Sequence, residues 1–196
     1  MTFRSWSLVL AIALVCLGAV VVQDPKPNVR QPDAESLRRA RELSKTVAQH
    51  DVLRRLGGKW NVTVKTTAPD GKVHEDTGKV AGVGMLGGRY VALNFELDLQ
   101  GNELQALQIV GFDTLKGLYT ASWRDTGSTW GVECRGEPGD DVNVITMRGS
   151  MVDAFTPNGR PFRLQFDVRE RGEVLVRIWE GMAGKEVLLQ EQRWVR

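Results

Sequence analysis

The sequence predicts an all-β fold with one N-terminal helix: an antiparallel up-and-down β-barrel of about ten strands. Three observations predict it. At Gly57-Gly58 the hydrophobic period changes from that of a helix to that of a strand. Short alternating runs then follow at 59–67, 77–85, 89–98, 103–113, 118–124, 129–137, 142–152, 162–170, 174–181 and 186–195. Between them stand turn signals such as Asp70-Gly71, Gly87-Gly88, Lys116-Gly117, Asn158-Gly159 and Arg171-Gly172, and no crossover helix. A meander of this size removes its edge strands by closing on itself.

The chain divides into four parts. Residues 1–22 carry Arg4 and an apolar run from Trp6 to Val22, followed at once by polar, proline-bearing sequence, the pattern of an export signal. The cleavage site is indistinct, because Leu17-Gly18-Ala19 only half satisfies the small-x-small rule. An uncleaved membrane anchor and a lipid-modified Cys16 are the alternatives, the latter disfavoured by bulky Val15. Residues 23–32 form a proline-rich linker. Residues 33–56 form an amphipathic helix, with Asp33 as N-cap and Leu37, Ala40, Leu43, Val47, Leu53 and Leu56 on one stripe. His50-Asp51 marks a candidate break in it. The barrel domain spans 57–196.

Within the barrel the faces follow from alternation. Val91, Leu93, Phe95 and Leu97 share a side; Leu104, Ala106, Val110 and Phe112 share another with Gln108 as its polar member. Phe162, Leu164, Phe166 and Val168 alternate with polar residues, and Tyr119, Ala121 and Trp123 make a further apolar side.

Composition narrows the function classes. Lys and Arg total 26 against 24 Asp and Glu, mixed along the chain rather than gathered into a basic stripe, so nothing points to nucleic acid. If Cys16 leaves with an export signal, Cys134 is alone and no internal disulfide forms. Cys134 shares the apolar side of its strand with Trp130 and Val132, as a buried small hydrophobe does.

Gly58-Lys59-Trp60, a Gly-x-Trp at the start of the first strand, resembles the hallmark of the lipocalin and fatty-acid-binding barrels. That resemblance implies that Trp60 plugs the closed end, with Arg196 or Arg193 supplying a cation across the ring. A more specific set of motifs resembles the DUF1579 family of bacterial proteins of unknown function. It comprises His50-x-x-Leu53-x-x-Leu56-x-Gly58-x-Trp60, Leu86-Gly87-Gly88-Arg89-Tyr90, Gly111-Phe112-Asp113, Trp123-x-Asp125 with Ser128-Thr129, and Trp194-x-Arg196. The resemblance implies a lipocalin-like barrel and brings no activity with it.

Other motifs carry little chemistry. Gly82 to Gly87 spells Gly-x-Gly-x-x-Gly, but a strand follows it, so these glycines bend a barrel strand and form its hairpin instead of holding a dinucleotide. His50 and His74 stand far apart with no companion cysteine pair, which leaves no conventional zinc site; His50 positions a helix end. No cofactor is expected. Asp113 and Asp125 read as strand terminators accepting turn N–H bonds. A ligand, if bound, would meet polar atoms set among aromatics: Tyr90, Asn94, Gln108, Trp123, Trp130, Arg163, Arg177 and Trp179. The expectation is an exported barrel that binds a small, largely apolar molecule without catalysis. The alternatives are an enzyme with a carboxylate or histidine site at the barrel mouth and a cell-envelope interaction module.

Overall fold

Every strand of the barrel is hydrogen-bonded to its neighbours in the chain, and the first also pairs with the last. The structure, a computed structural model, describes residues 32–153, 156–181 and 185–196. The export segment and nearly all of the linker therefore lie outside the described residues.

The elements in order are α1 (Ala34–Leu43), α2 (Ala48–Arg54), β1 (Gly58–Thr67), β2 (Val73–Met85), β3 (Tyr90–Leu99), β4 (Asn102–Asp113), β5 (Leu118–Asp125), β6 (Val132–Gly136), β7 (Val144–Met151), β8 (Arg160–Asp167), β9 (Glu173–Glu180) and β10 (Val187–Val195). All pairings are antiparallel, and β1 joins β10 from Asn61 opposite Val195 to Thr66 opposite Gln190. The expected closed barrel is what forms. The strand bounds shift by a residue or two at most ends, and three shift further: the starts of β2 and β6 and the end of β8, which stops at Asp167 instead of 170. β2 starts at Val73 because Val73 to Asp76 continue the ladder with Val64 to Thr67, although Val-His-Glu-Asp carries no apolar–polar alternation. β6 is shorter than expected, since Trp130 lies in the β5–β6 loop.

The helical region requires a correction. The single helix expected over 33–56 is broken at 44–47 into α1 and α2. Asp33 does cap α1, its carboxylate accepting from the Ser36 N–H at 2.7 Å. Side chains from the barrel then satisfy the carbonyls at the end of α1: Arg89 donates to Ser44 O at 2.7 Å and Thr114 Oγ1 donates to Leu43 O. The chain restarts where Val47 N–H donates to His50 Nδ1 at 2.9 Å. The break thus falls before His50 rather than at it, and the histidine caps the start of the second helix. The continuous apolar stripe is also divided. No residue of α1 is buried and Leu37 is exposed, whereas Val52, Leu53 and Leu56 are buried against the barrel.

The core is the inner face of the sheet, with side chains alternating inward along every strand. Val91, Leu93, Phe95 and Leu97 are all buried, as are Phe162, Leu164 and Phe166. At one end α2 covers the barrel. There Gly82 permits the closest approach: a Cβ on it would stand 2.2 Å from the Leu56 carbonyl oxygen, so only glycine lets the helix end settle on the strand. Trp60 fills the same end, 3% exposed, with its indole N–H donating to Leu56 O at 3.1 Å. Arg196 lies 4.7 Å from the centre of that ring and donates to Gly57 O at 3.2 Å. Arg193, the other candidate cation, pairs with Glu173 on the outer wall. Gly58 takes φ of +118°, which turns the chain from helix to strand beneath Arg196.

Candidate functional site

The barrel is closed at the α2 end and incompletely filled toward the other. A cavity of about 390 Å³ lies inside it, with its mouth between the β5–β6 loop and the end of β7. Ala121, Val132, Leu164, Val176 and Ile178 supply aliphatic wall, and Phe95, Phe162, Trp123 and Trp194 supply aromatic wall. Three of these rings form one connected group: Phe95 packs 4.9 Å from Trp123 and 5.7 Å from Trp194, centre to centre. Trp130 stands half out of the mouth. A larger groove, about 610 Å³, runs across the outer wall over β1 to β4, but it is shallow, open and flanked by charged side chains such as Lys79, Glu96 and Asp98.

The polar groups lining the cavity are mostly occupied. On β10, residues 190, 192 and 194 face inward together, after a bulge between Leu188 and Gln190. They form a relay in which Trp194 Nε1 donates to Gln192 Oε1 at 2.9 Å, Gln192 Nε2 to Gln190 Oε1 at 2.7 Å, and Gln190 Nε2 to Thr66 Oγ1 at 3.4 Å. On β5, Trp123 Nε1 donates to Asp125 Oδ2 at 2.6 Å, while Asp125 Oδ1 accepts from the Gly127 N–H and the Ser128 hydroxyl. Asp153 accepts from Thr156 and from Arg160, whose other terminal nitrogen donates to Glu180 at 2.9 Å.

Gln108 differs. It is 7% exposed, sits opposite Leu93 and Trp123 in the ladder, and lines the cavity. Among the described residues its carboxamide makes no hydrogen bond. The Cys134 thiol is also in the wall, and burial, with the Glu133 charge as a lesser cause, pushes it up to about 12. It is therefore a neutral thiol at physiological pH.

Of the residues expected to meet a ligand, Gln108, Trp123 and Trp130 line this cavity. The other five stand on the outer wall by strand parity. Tyr90 lies flat over Gly111, where a Cβ would come within 2.4 Å of its ring. Asn94 is exposed and points toward the Ala81 carbonyl, at 3.5 Å. Arg177 pairs with Glu191 at 2.8 Å. Arg163 stacks 3.5 Å over Trp179 and bonds Glu186, which also accepts from Arg148. Gln190, Gln192 and Asp153 line the cavity without having been singled out in the sequence. The signal for the glutamines was present in Gln190-x-Gln192-x-Trp194, polar residues in phase with a core tryptophan.

Among the described residues the histidines and carboxylates form no assembled centre. Among the described residues, no three of His, Cys, Asp and Glu converge to hold a metal ion. His50 is 2% exposed beneath the barrel floor with its ring edge-on to Phe112 at 5.9 Å, and His74 lies on β2. Asp113 and Asp125 terminate their strands, each accepting a turn N–H at 2.9 Å.

Comparison with known proteins places this arrangement. No curated protein matches the sequence. Among solved structures, the crystal structure of Rv2717c from M. tuberculosis is similar, with a TM-score of 0.55 at 10% identity, over 78% of this chain and 99% of that one. At that identity the likeness is one of fold. The family model described as "Protein of unknown function (DUF1579)" matches residues 45–176, which take in α2, the floor around His50 and Trp60, and most of the cavity wall. This chain belongs to the DUF1579 family.

Proposed function

We propose that the protein is an exported barrel that binds a small, largely apolar molecule in its interior without chemical turnover. The observation that carries this reading is the 390 Å³ cavity with aromatic and aliphatic walls and few polar groups. That volume and lining are those of small-molecule pockets, whereas a barrel that served only as a rigid module would fill its interior. The carboxylates at the mouth support binding over catalysis. Asp125 and Asp153 each already accept at least two hydrogen bonds, which ties them to loop geometry and leaves neither poised to move a proton.

Export rests on Arg4, the apolar run ending at Val22 and the proline-rich sequence that follows. Fractionation of the producing cell with determination of the mature N-terminus tests it; full-length protein in the cytoplasm would overturn it. For binding, the purified protein is extracted with organic solvent and the extract analysed by mass spectrometry, alongside calorimetric titration with small aromatic hydrocarbons. A co-purifying or titrating apolar molecule is expected. An empty extract together with no heat of binding would remove the reading.

A further inference from the structure

We infer that the cavity takes a neutral ligand whose head group presents a hydrogen-bond donor beside an acceptor, as a carboxamide or lactam does, and that Gln108 reads that head group. This deepens the binding function proposed above and rests on it.

The polar atoms of the cavity carry the argument. Gln190 and Gln192 are joined to Trp194 and Thr66, and Asp125 holds the Trp123 indole and its own turn. Gln108 alone among the lining carboxamides has both ends free of partners within the described residues, although it is more than nine-tenths buried. Among the described residues the one buried side-chain polar atom sealed off without a partner is Arg160 Nε, so the Gln108 nitrogen and oxygen are not closed in by protein but open onto the cavity, where a group that enters can meet them. A carboxamide offers N–H and C=O side by side, and its complement offers C=O and N–H in the same arrangement.

Charge decides against an anionic head. No Lys, Arg or His is among the described residues that line the cavity, Arg160 is engaged by Asp153 and Glu180, and both lining carboxylates, Asp125 and Asp153, disfavour a further negative charge. A fatty-acid carboxylate would be desolvated there with no cation among the described lining residues to meet it. The ligand's body would rest on Trp123, the neighbour of Gln108 in the ladder, whose ring is fixed by its bond to Asp125.

Calorimetric titration with three probes of one shape tests the inference: naphthamide, naphthoate and methylnaphthalene. Naphthamide is expected to bind the wild-type protein about tenfold tighter than either of the others, a difference worth one good buried hydrogen-bonding pair. Gln108→Met keeps the length of the side chain and removes both hydrogen-bonding ends, and it is expected to bring naphthamide down to methylnaphthalene. Equal binding of naphthamide and methylnaphthalene to the wild type, or tighter binding of naphthoate, overturns the head-group inference and leaves the cavity a binding site. Retention of the amide preference by Gln108→Met overturns the role of Gln108. Failure of all three probes on the wild type overturns this inference, and together with an empty solvent extract it overturns the binding function as well. The wild-type comparison decides the outcome even if the variant fails to fold.

Discussion

Arg196 spans the last turn of chain to lie 4.7 Å over the Trp60 ring, while the indole N–H of Trp60 reaches back to Leu56. The C-terminus, the first strand and the end of α2 are thereby fastened at one point. The ring carries most of the stabilisation, since it is 3% exposed and packs on Trp194 at 6.4 Å. Trp60→Ala is expected to cost about 3–5 kcal/mol in urea unfolding. Arg196→Ala loses an exposed cation–π contact and one hydrogen bond, and is expected to cost only about 1 kcal/mol. A Trp60→Ala variant as stable as the wild type would contradict the packing described for this end.

Gln108 and Gln192 give a second, internally controlled prediction. Both are buried and face the same cavity, but Gln192 is bonded at both ends and Gln108 at neither. Gln192→Met strands the Trp194 N–H and is expected to destabilise by about 1–3 kcal/mol. Gln108→Met strands nothing, and in the ligand-free protein it is expected to be neutral or stabilising by up to about 1 kcal/mol. Thermal unfolding of the two variants checks the difference in sign.

The fold was legible in the sequence to the extent that parity was. Alternation in 91–97 and 162–168 identified inward residues that are buried without exception. A helix break was legible at His50-Asp51, but its true position at 44–47 was not. What stops α1 is donation from Arg89 and Thr114, residues more than forty positions away, to carbonyls that the local sequence leaves open. The site was legible in part for a related reason. Polar residues near aromatics were expected to converge, yet Arg163, Arg177 and Trp179 are on odd positions whose even neighbours Phe162, Leu164, Val176 and Ile178 face inward. On the outer wall Arg163 and Trp179 satisfy each other, so their chemistry concerns the surface. The cavity itself depends on the summed volume of inward side chains and on the bulge at Leu188, neither of which periodicity reports.

Cys134 offers a test of the cavity wall. The residue is 8% exposed and its thiol is raised to about 12, so the thiolate that alkylating reagents require is scarce at pH 8. Iodoacetamide is expected to modify the folded protein at least tenfold more slowly than the urea-unfolded protein. Labelling at equal rates, read by intact-protein mass spectrometry, would show that the thiol is neither buried nor neutral. Occupation of the cavity by an apolar ligand is expected to slow the folded-state rate further.

His50 predicts a pH dependence of stability. Burial is the main cause that lowers its affinity for a proton below the ordinary 6.5, with Arg89 and Arg54 acting in the same direction and the Phe112 backbone opposing. The Val47 N–H donated to Nδ1 requires a lone pair there, so protonation at that nitrogen also undoes the cap of α2. In the unfolded chain the imidazole takes up its proton near 6.5; in the folded protein it does so only at lower pH. Between those values the unfolded state binds more protons, so stability falls as pH drops below 6.5 and levels off beneath the folded value. This window opens at 6.5, well above the ordinary 3.8 below which Asp167, held low chiefly by its hydrogen bond to Arg169, begins to lose its own contribution. Asn at position 50 can still accept from Val47 but does not titrate. Urea unfolding of the wild type and His50→Asn at pH 7.5, 6.5 and 5.5 is therefore expected to show a decline toward acid in the wild type that is absent from the variant; parallel curves would mean that the buried imidazole is not the group responsible.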